Sequence, residues 1–191
     1  MDVKQYLTEW SACYRKDFVE NIMPFWMEHG LDRKHGGVYT CLDRDGGLMD
    51  TTKSVWFQGR FGFIAAYAYN NIEKNPEWLA ASKSCIDFIE AHCFDTDGHM
   101  FFEVMEDGTP LRKRRYVFSE GFAAIAMSEY SIASGDKTYA QKALDLFNRI
   151  MYMLNTPGFL TPKYLDTMKS QGHSITMILV NTAARIRAAI D

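Results

Sequence analysis

One cation stands out among the residues that could do chemistry. Arg60 lies between Gly59 and Phe61 in the run VWFQGRFGF, with Trp56, Phe57, Phe61 and Phe63 around it. A guanidinium stays charged, presents a planar fork of N–H donors, and is costly to bury without a partner. Arg60 therefore needs either a carboxylate in the core or a polar ligand. Glu120, in a second aromatic run, YVFSEGFAAIAMSEY, is the inward-looking carboxylate on offer. It could pair with Arg60 or accept a ligand hydroxyl, with a buried structural ion pair as the alternative. Of the five histidines, His29, His35, His92 and His99 fall at helix ends or in loop-like stretches, which suits capping or solvent exposure. His173 opens the last helical segment, where it could line a pocket or simply mark an N-terminus.

These side chains need elements to hold them. Val3, Tyr6, Leu7, Trp10, Tyr14, Phe18 and Ile22 recur at helical spacing, so the chain opens with an amphipathic helix whose buried face is aromatic and which kinks or ends at Pro24. A Gly-rich hairpin is expected over residues 36–50, then a nearly all-apolar helix over 52–71 that carries Trp56, Gln58 and Arg60. Asn75-Pro76 starts an amphipathic helix reaching His92.

The pattern then repeats at an offset of 62 residues: GHMFFEVMEDGT (98–109) matches GGVYTCLDRDGG (36–47) position for position. A second apolar helix follows, placing Glu120 where the first unit has Gly59 or Arg60, and Asp136 caps an outer helix to about Leu154. A third inner helix begins near Gln171. The unit is helix, loop or hairpin, helix, which is the signature of a helical repeat or toroid. The inner layer is expected to be 56–69, 118–130 and 175–186, with only short hairpin strands. Asp43, Asp45, Asp95, Asp97, Glu106 and Asp107 read as turn chemistry.

Composition narrows the function classes. With 191 residues, 47% of them hydrophobic, the chain can bury one core, and a net charge of -3 with scattered basic residues argues against a nucleic-acid surface. The run from Arg112 to Arg115 reads as a solvated loop face. The four cysteines have neither zinc-ligand spacing nor a redox CxxC, so they read as free thiols of a cytoplasmic protein, and no run is long and apolar enough for a bilayer.

Three linked motifs carry a resemblance: FW-x2-H-x2-D-x3-GG from Phe25 to Gly37, TCLDRDG from Thr40 to Gly46, and K-x-VWFQGR from Lys53 to Arg60. In this order they resemble the N-acylglucosamine 2-epimerase family, which also contains renin-binding protein. The resemblance implies an all-α (α/α)6 barrel, of which residues 1–191 would be the N-terminal half, three helical hairpins in one domain. The last helix shows no stop signal before Asp191, which fits a fragment or a shortened product.

The activity implied is interconversion of N-acetylglucosamine and N-acetylmannosamine by removal and return of the C2 proton. That chemistry needs a base, an acid and a donor aimed at the oxygen that becomes enolate-like. Arg60 fits the donor. In the family the acid/base pair is two histidines of the C-terminal half, so the fragment alone should be inactive, with His173 the one catalytic histidine it could offer. Tyr39, Trp56, Tyr116 and Phe118 could stack on a sugar face, and Gln58 and Glu120 could meet its hydroxyls. Cellobiose 2-epimerases place a histidine about one turn beyond His173, near Thr176, a departure that argues against cellobiose. No metal or other cofactor is required, while a nucleotide effector and a homodimer fit the resemblance. Rival readings are an aldose–ketose isomerase on mannose-type sugars and a non-catalytic sugar- or protein-binding module.

Overall fold

A computed structural model describes residues 2–113, 116–161, 165, 167, 169 and 172–191. The opening helix, α1 (Val3–Asp17), does not stop at Pro24. It continues through a π turn at Phe18–Ile22, the short α2 (Met23–Phe25) and a second π turn at Trp26–Gly30. A proline lacks the N–H for the usual ladder bond and clashes with the carbonyl four residues back; widening the turn, with the Met23 N–H reaching the Phe18 carbonyl, relieves both. The expectation of a buried aromatic face also needs correcting. No residue of α1 is buried, and its Tyr6–Trp10–Tyr14 ladder points to solvent. Helical spacing shows that a face is apolar but not what covers it.

Among the described residues five longer helices follow: α3 (Val55–Asn71), α4 (Pro76–His92), α5 (Phe118–Ser134), α6 (Lys137–Asn155) and α7 (Ser174–Ile190). Asn75 and Asp136 cap α4 and α6, each side chain accepting an N–H from the first turn, and Gly135 ends α5 in the left-handed conformation. Gln171, expected to open the last helix, lies outside the described residues.

α3, α5 and α7 form one layer, and α4 and α6 back it. Gly62 of α3 faces Ala126 of α5, and Asn70 of α3 bonds to Glu129, so these helices run parallel; Gly121 meets Ile178 and Arg185 meets Glu129 in the same sense between α5 and α7. The core gathers where the layers meet, around Val55, Ile86, Phe88, Ala123, Met127 and Ile186. α5 is the most enclosed helix because its small residues, Ala123, Ala124, Ala126 and Ser128, let neighbours approach on several sides.

The strands are short. β1 (Cys41–Leu42) pairs with β2 (Leu48–Asp50), and β3 (Lys53–Ser54), β4 (Phe101–Val104) and β5 (Pro110–Lys113) make an antiparallel three-stranded sheet. The first hairpin is shorter than the expected 36–50, because Val38 bridges back to Leu31 instead of extending the ladder. Lys53 and Ser54 are likewise taken from the expected start of the helix into the sheet.

The 62-residue offset is structural. Gly36 and Gly98 have φ of 82° and 77°, and the turn glycines Gly46 and Gly108 have 90° and 91°. Each turn glycine abuts the histidine that ends the preceding outer helix, His29 or His92. A Cβ would come within 2.4 Å of a ring atom in the first and 2.3 Å in the second, so side-chain bulk as well as φ demands glycine.

Candidate functional site

Because the inner helices are parallel, their N-termini open at one end of the layer, and β3–β5 lie against that end. Trp56, in the first turn of α3, meets Phe102 of β4 edge-on at 5.1 Å and Phe118 of α5 at 5.3 Å, with Phe122 at 5.9 Å and Tyr116 extending the row 5.8 Å from Phe118. All are half-buried, leaving a shelf of ring surface. Arg60, one turn along α3, lays its guanidinium over Phe122 at 4.3 Å, with Phe57 at 5.7 Å beside it. Among the described residues no carboxylate pairs with it.

Arg60 also borders a cavity of about 260 Å³ between the opening helix and α3, lined by Phe18, Ile22, Trp26, Tyr39 and Ile64 among others. At the far edge of the shelf, Arg112 covers Phe102 at 4.8 Å but is tied to Glu103 at 3.0 Å. The rest of the expected basic run, Arg114 and Arg115, lies outside the described residues.

Several expected site residues are engaged elsewhere. Gln58 is fully buried: its Oε1 accepts the Val38 N–H at 2.8 Å and its Nε2 donates to the Val38 carbonyl at 2.6 Å, so the side chain acts as a strand partner sealed from solvent. Glu120, also buried, stands 62 residues on from Gln58, not at the place of Gly59 or Arg60. Its Oε1 accepts the Met100 N–H at 2.7 Å and lies 2.5 Å from Nδ1 of His99, so it is not the partner of Arg60. Among the described residues its Oε2 has no hydrogen-bond partner. His99 is correspondingly buried, against the expectation of a capping or exposed histidine.

Tyr39 lines the cavity that Arg60 borders. Its hydroxyl donates to Glu106 at 2.5 Å, and burial, with that carboxylate, pushes its pKa up. His173 precedes the first turn of α7, exposed and without a side-chain capping bond, at the same end as the shelf. The structure thus gathers Arg60, Trp56, Tyr116 and Phe118, leaves His173 on the rim, sets Tyr39 on the cavity that Arg60 borders, and buries Gln58 and Glu120 against the loops.

Beneath the site is a pair the sequence reading did not single out. Lys53, fully buried, gives its three protons to Asp32 at 2.6 Å and to the carbonyls of Gly36 and Glu106 at 2.8 Å each, under the Phe88 ring at 4.2 Å. Burial pushes the Asp32 carboxyl up, but the Lys53 hydrogen bond and the N–H groups of His35 and Lys34 outweigh it and hold the pKa below its ordinary value. Both residues stand in the motifs that flank the first hairpin; what they lacked was any periodic signal linking them. Phe122 was legible in principle, 62 residues after Arg60. The four cysteines are free thiols, and burial pushes Cys85 and Cys93 up to about 12, which leaves them inert. Among the described residues no three His, Cys, Asp or Glu side chains converge as metal ligands, and no helix is long and apolar enough to cross a membrane.

The chain shares its fold with about half of each of two solved epimerases. Cellobiose 2-epimerase from Bacillus thermoamylovorans superposes with a TM-score of 0.83 at 16% identity, covering 95% of this chain and 51% of that one. A sugar epimerase from a ruminal bacterium gives 0.78 at 23% identity, covering 92% and 49%. The profile of the N-acylglucosamine 2-epimerase (GlcNAc 2-epimerase) family matches residues 37–176, and the chain belongs to that family. Among its relatives, the N-acylglucosamine 2-epimerase of Rattus norvegicus is 30% identical over 174 residues, 88% of this chain. The chain spans 42% of that relative's length.

Proposed function

We propose that this chain is the arginine-bearing N-terminal half of an (α/α)6-barrel carbohydrate 2-epimerase that interconverts N-acetylglucosamine and N-acetylmannosamine. The observation that carries the reading is Arg60: a cation with no carboxylate partner among the described residues, laid on an aromatic shelf at the open end of the inner helices. An open-chain sugar resting on Trp56 and Phe118 would bring its aldehyde oxygen to the Arg60 fork. As the C2 proton leaves, charge moves onto that oxygen, and a guanidinium there stabilises the enolate-like species more than the ground state. Return of a proton to the opposite face inverts C2.

The resemblance implies that the two histidines for these transfers belong to the C-terminal half. The 191-residue chain alone is accordingly expected not to exchange the C2 proton, since each missing acid/base group forfeits ~10²- to ~10⁴-fold. Incubation with N-acetylmannosamine in heavy water, followed by NMR at C2, tests this. Exchange above background that disappears in His173→Ala would refute it and make His173 a base in its own right. In a protein carrying both halves, Arg60→Ala should lower turnover at least ~100-fold with helix content unchanged, and Arg60→Lys should recover little because a point charge does not replace the fork. Undiminished turnover in Arg60→Ala would assign Arg60 to structure. Product analysis separates the epimer from the ketose that an aldose–ketose isomerase would form.

A further inference from the structure

We propose that Phe122 is the positioning residue for Arg60, holding the guanidinium in place while leaving all of its N–H donors free. The inference rests on the reading of Arg60 as the cation that receives a sugar oxygen. An arginine on an exposed helix face has several freely rotating bonds, and fixing it usually falls to a carboxylate that occupies the same fork a ligand would need. Arg112 shows that arrangement on the same shelf, stacked on Phe102 but tied to Glu103. Among the described residues Arg60 has the stack without the carboxylate: the ring face attracts the cation from below and takes none of its hydrogens.

The contact is built into the helix pair. A Cβ at Gly59 would lie 2.6 Å from the carbonyl carbon of Phe122 and 2.7 Å from its Cβ, so α3 and α5 come this close only because position 59 has no side chain. That approach brings Phe122 under the residue next to Gly59. Trp56 packs against the ring at 5.9 Å, so the support is itself supported. Arg60 and Phe122 hold the same place in successive repeats, 62 residues apart, one carrying the charge and the other the surface on which it lies.

The test is NMR of arginine side chains in the intact chain, with the Arg60 Nε–Hε signal identified by its loss in Arg60→Lys. A proton over a ring face resonates upfield. Phe122→Leu should return the signal to the position of the exposed arginines, whereas Phe122→Tyr should keep it upfield. An unmoved signal in Phe122→Leu overturns the proposal, and if that variant loses its circular dichroism, Phe122→Met decides by the same criterion. Adding N-acetylmannosamine then separates the two readings. A shift in the wild type that shrinks roughly 5-fold in titration strength in Phe122→Leu supports both. A wild-type signal indifferent to the sugar counts against sugar binding, while the aiming of Arg60 has already been decided by the variants alone.

Discussion

The two hairpin units set the same backbone problem and solve it with different side chains. In each, a loop strand must be pinned to the inner helix that follows. The first unit uses a neutral amide, Gln58, which both donates to and accepts from Val38; the second uses a carboxylate, Glu120, which accepts from Met100 and engages His99. Each unit also ties its loop aspartate to a lysine. Asp32 and Lys53 are sealed inside, whereas Asp95 and Lys113 are about one-third exposed. What the two units share is the position of hydrogen-bonding atoms; the charge and burial of the groups supplying them differ.

The comparison breaks most sharply at the lysines. Lys53→Met should cost about 3–5 kcal/mol in urea denaturation, because it strands a buried carboxylate and two carbonyls. A loss below about 1 kcal/mol would mean that the seal around Asp32 is leaky. Exchanging the clamps comes next. Gln58→Glu places a carboxylate against the Val38 carbonyl and should cost about 3 kcal/mol, against about 1–2 kcal/mol for Glu120→Gln, which keeps the acceptor for Met100. Equal costs would show that the second clamp depends on its charge as much as the first depends on its amide.

Acid sharpens the same contrast. The Asp32 carboxyl is lowered on folding from its ordinary 3.8, so its contribution is fully present above that value and is lost as pH falls through 3.8 towards the folded value. Hydrogen bonding to Lys113 also lowers Asp95 and Asp97, but solvent screens those pairs. Lowering the pH from about 6 to about 3 should therefore reduce the urea midpoint less in Asp32→Asn than in the wild type, whereas Asp95→Asn should follow the wild type closely. Parallel behaviour of the two variants would erase the distinction. The smallest effect is expected for Lys113→Met, a change in midpoint near experimental error.

Much of this architecture was legible in the sequence. The caps at Asn75 and Asp136, the apolar inner helices and the 62-residue offset fixed the order of elements, since caps and periodicity are local signals. The site was legible only in part. Arg60 announced itself as a cation among rings, but the Lys53–Asp32 pair spans 21 residues of irregular chain, where no period links one partner to the other. His99 looked like a loop residue until its alignment with Gly37, and that of Glu120 with Gln58, is taken seriously: the place opposite the clamp holds no side chain in one unit and an imidazole in the other. The outward face of α1 was the plainest miss, because periodicity describes a helix and not its neighbours.

The three protons of Lys53 carry one more consequence. Two go to the loop of the first unit, and the third crosses to the Glu106 carbonyl in the turn of the second, beside the carboxylate of that residue, which takes the Tyr39 hydroxyl. The stretch that recurs in the sequence is therefore not a module that can be lifted out. The two units depend on each other, and a boundary drawn between them for grafting or permutation would cut through the most deeply buried charge in the first.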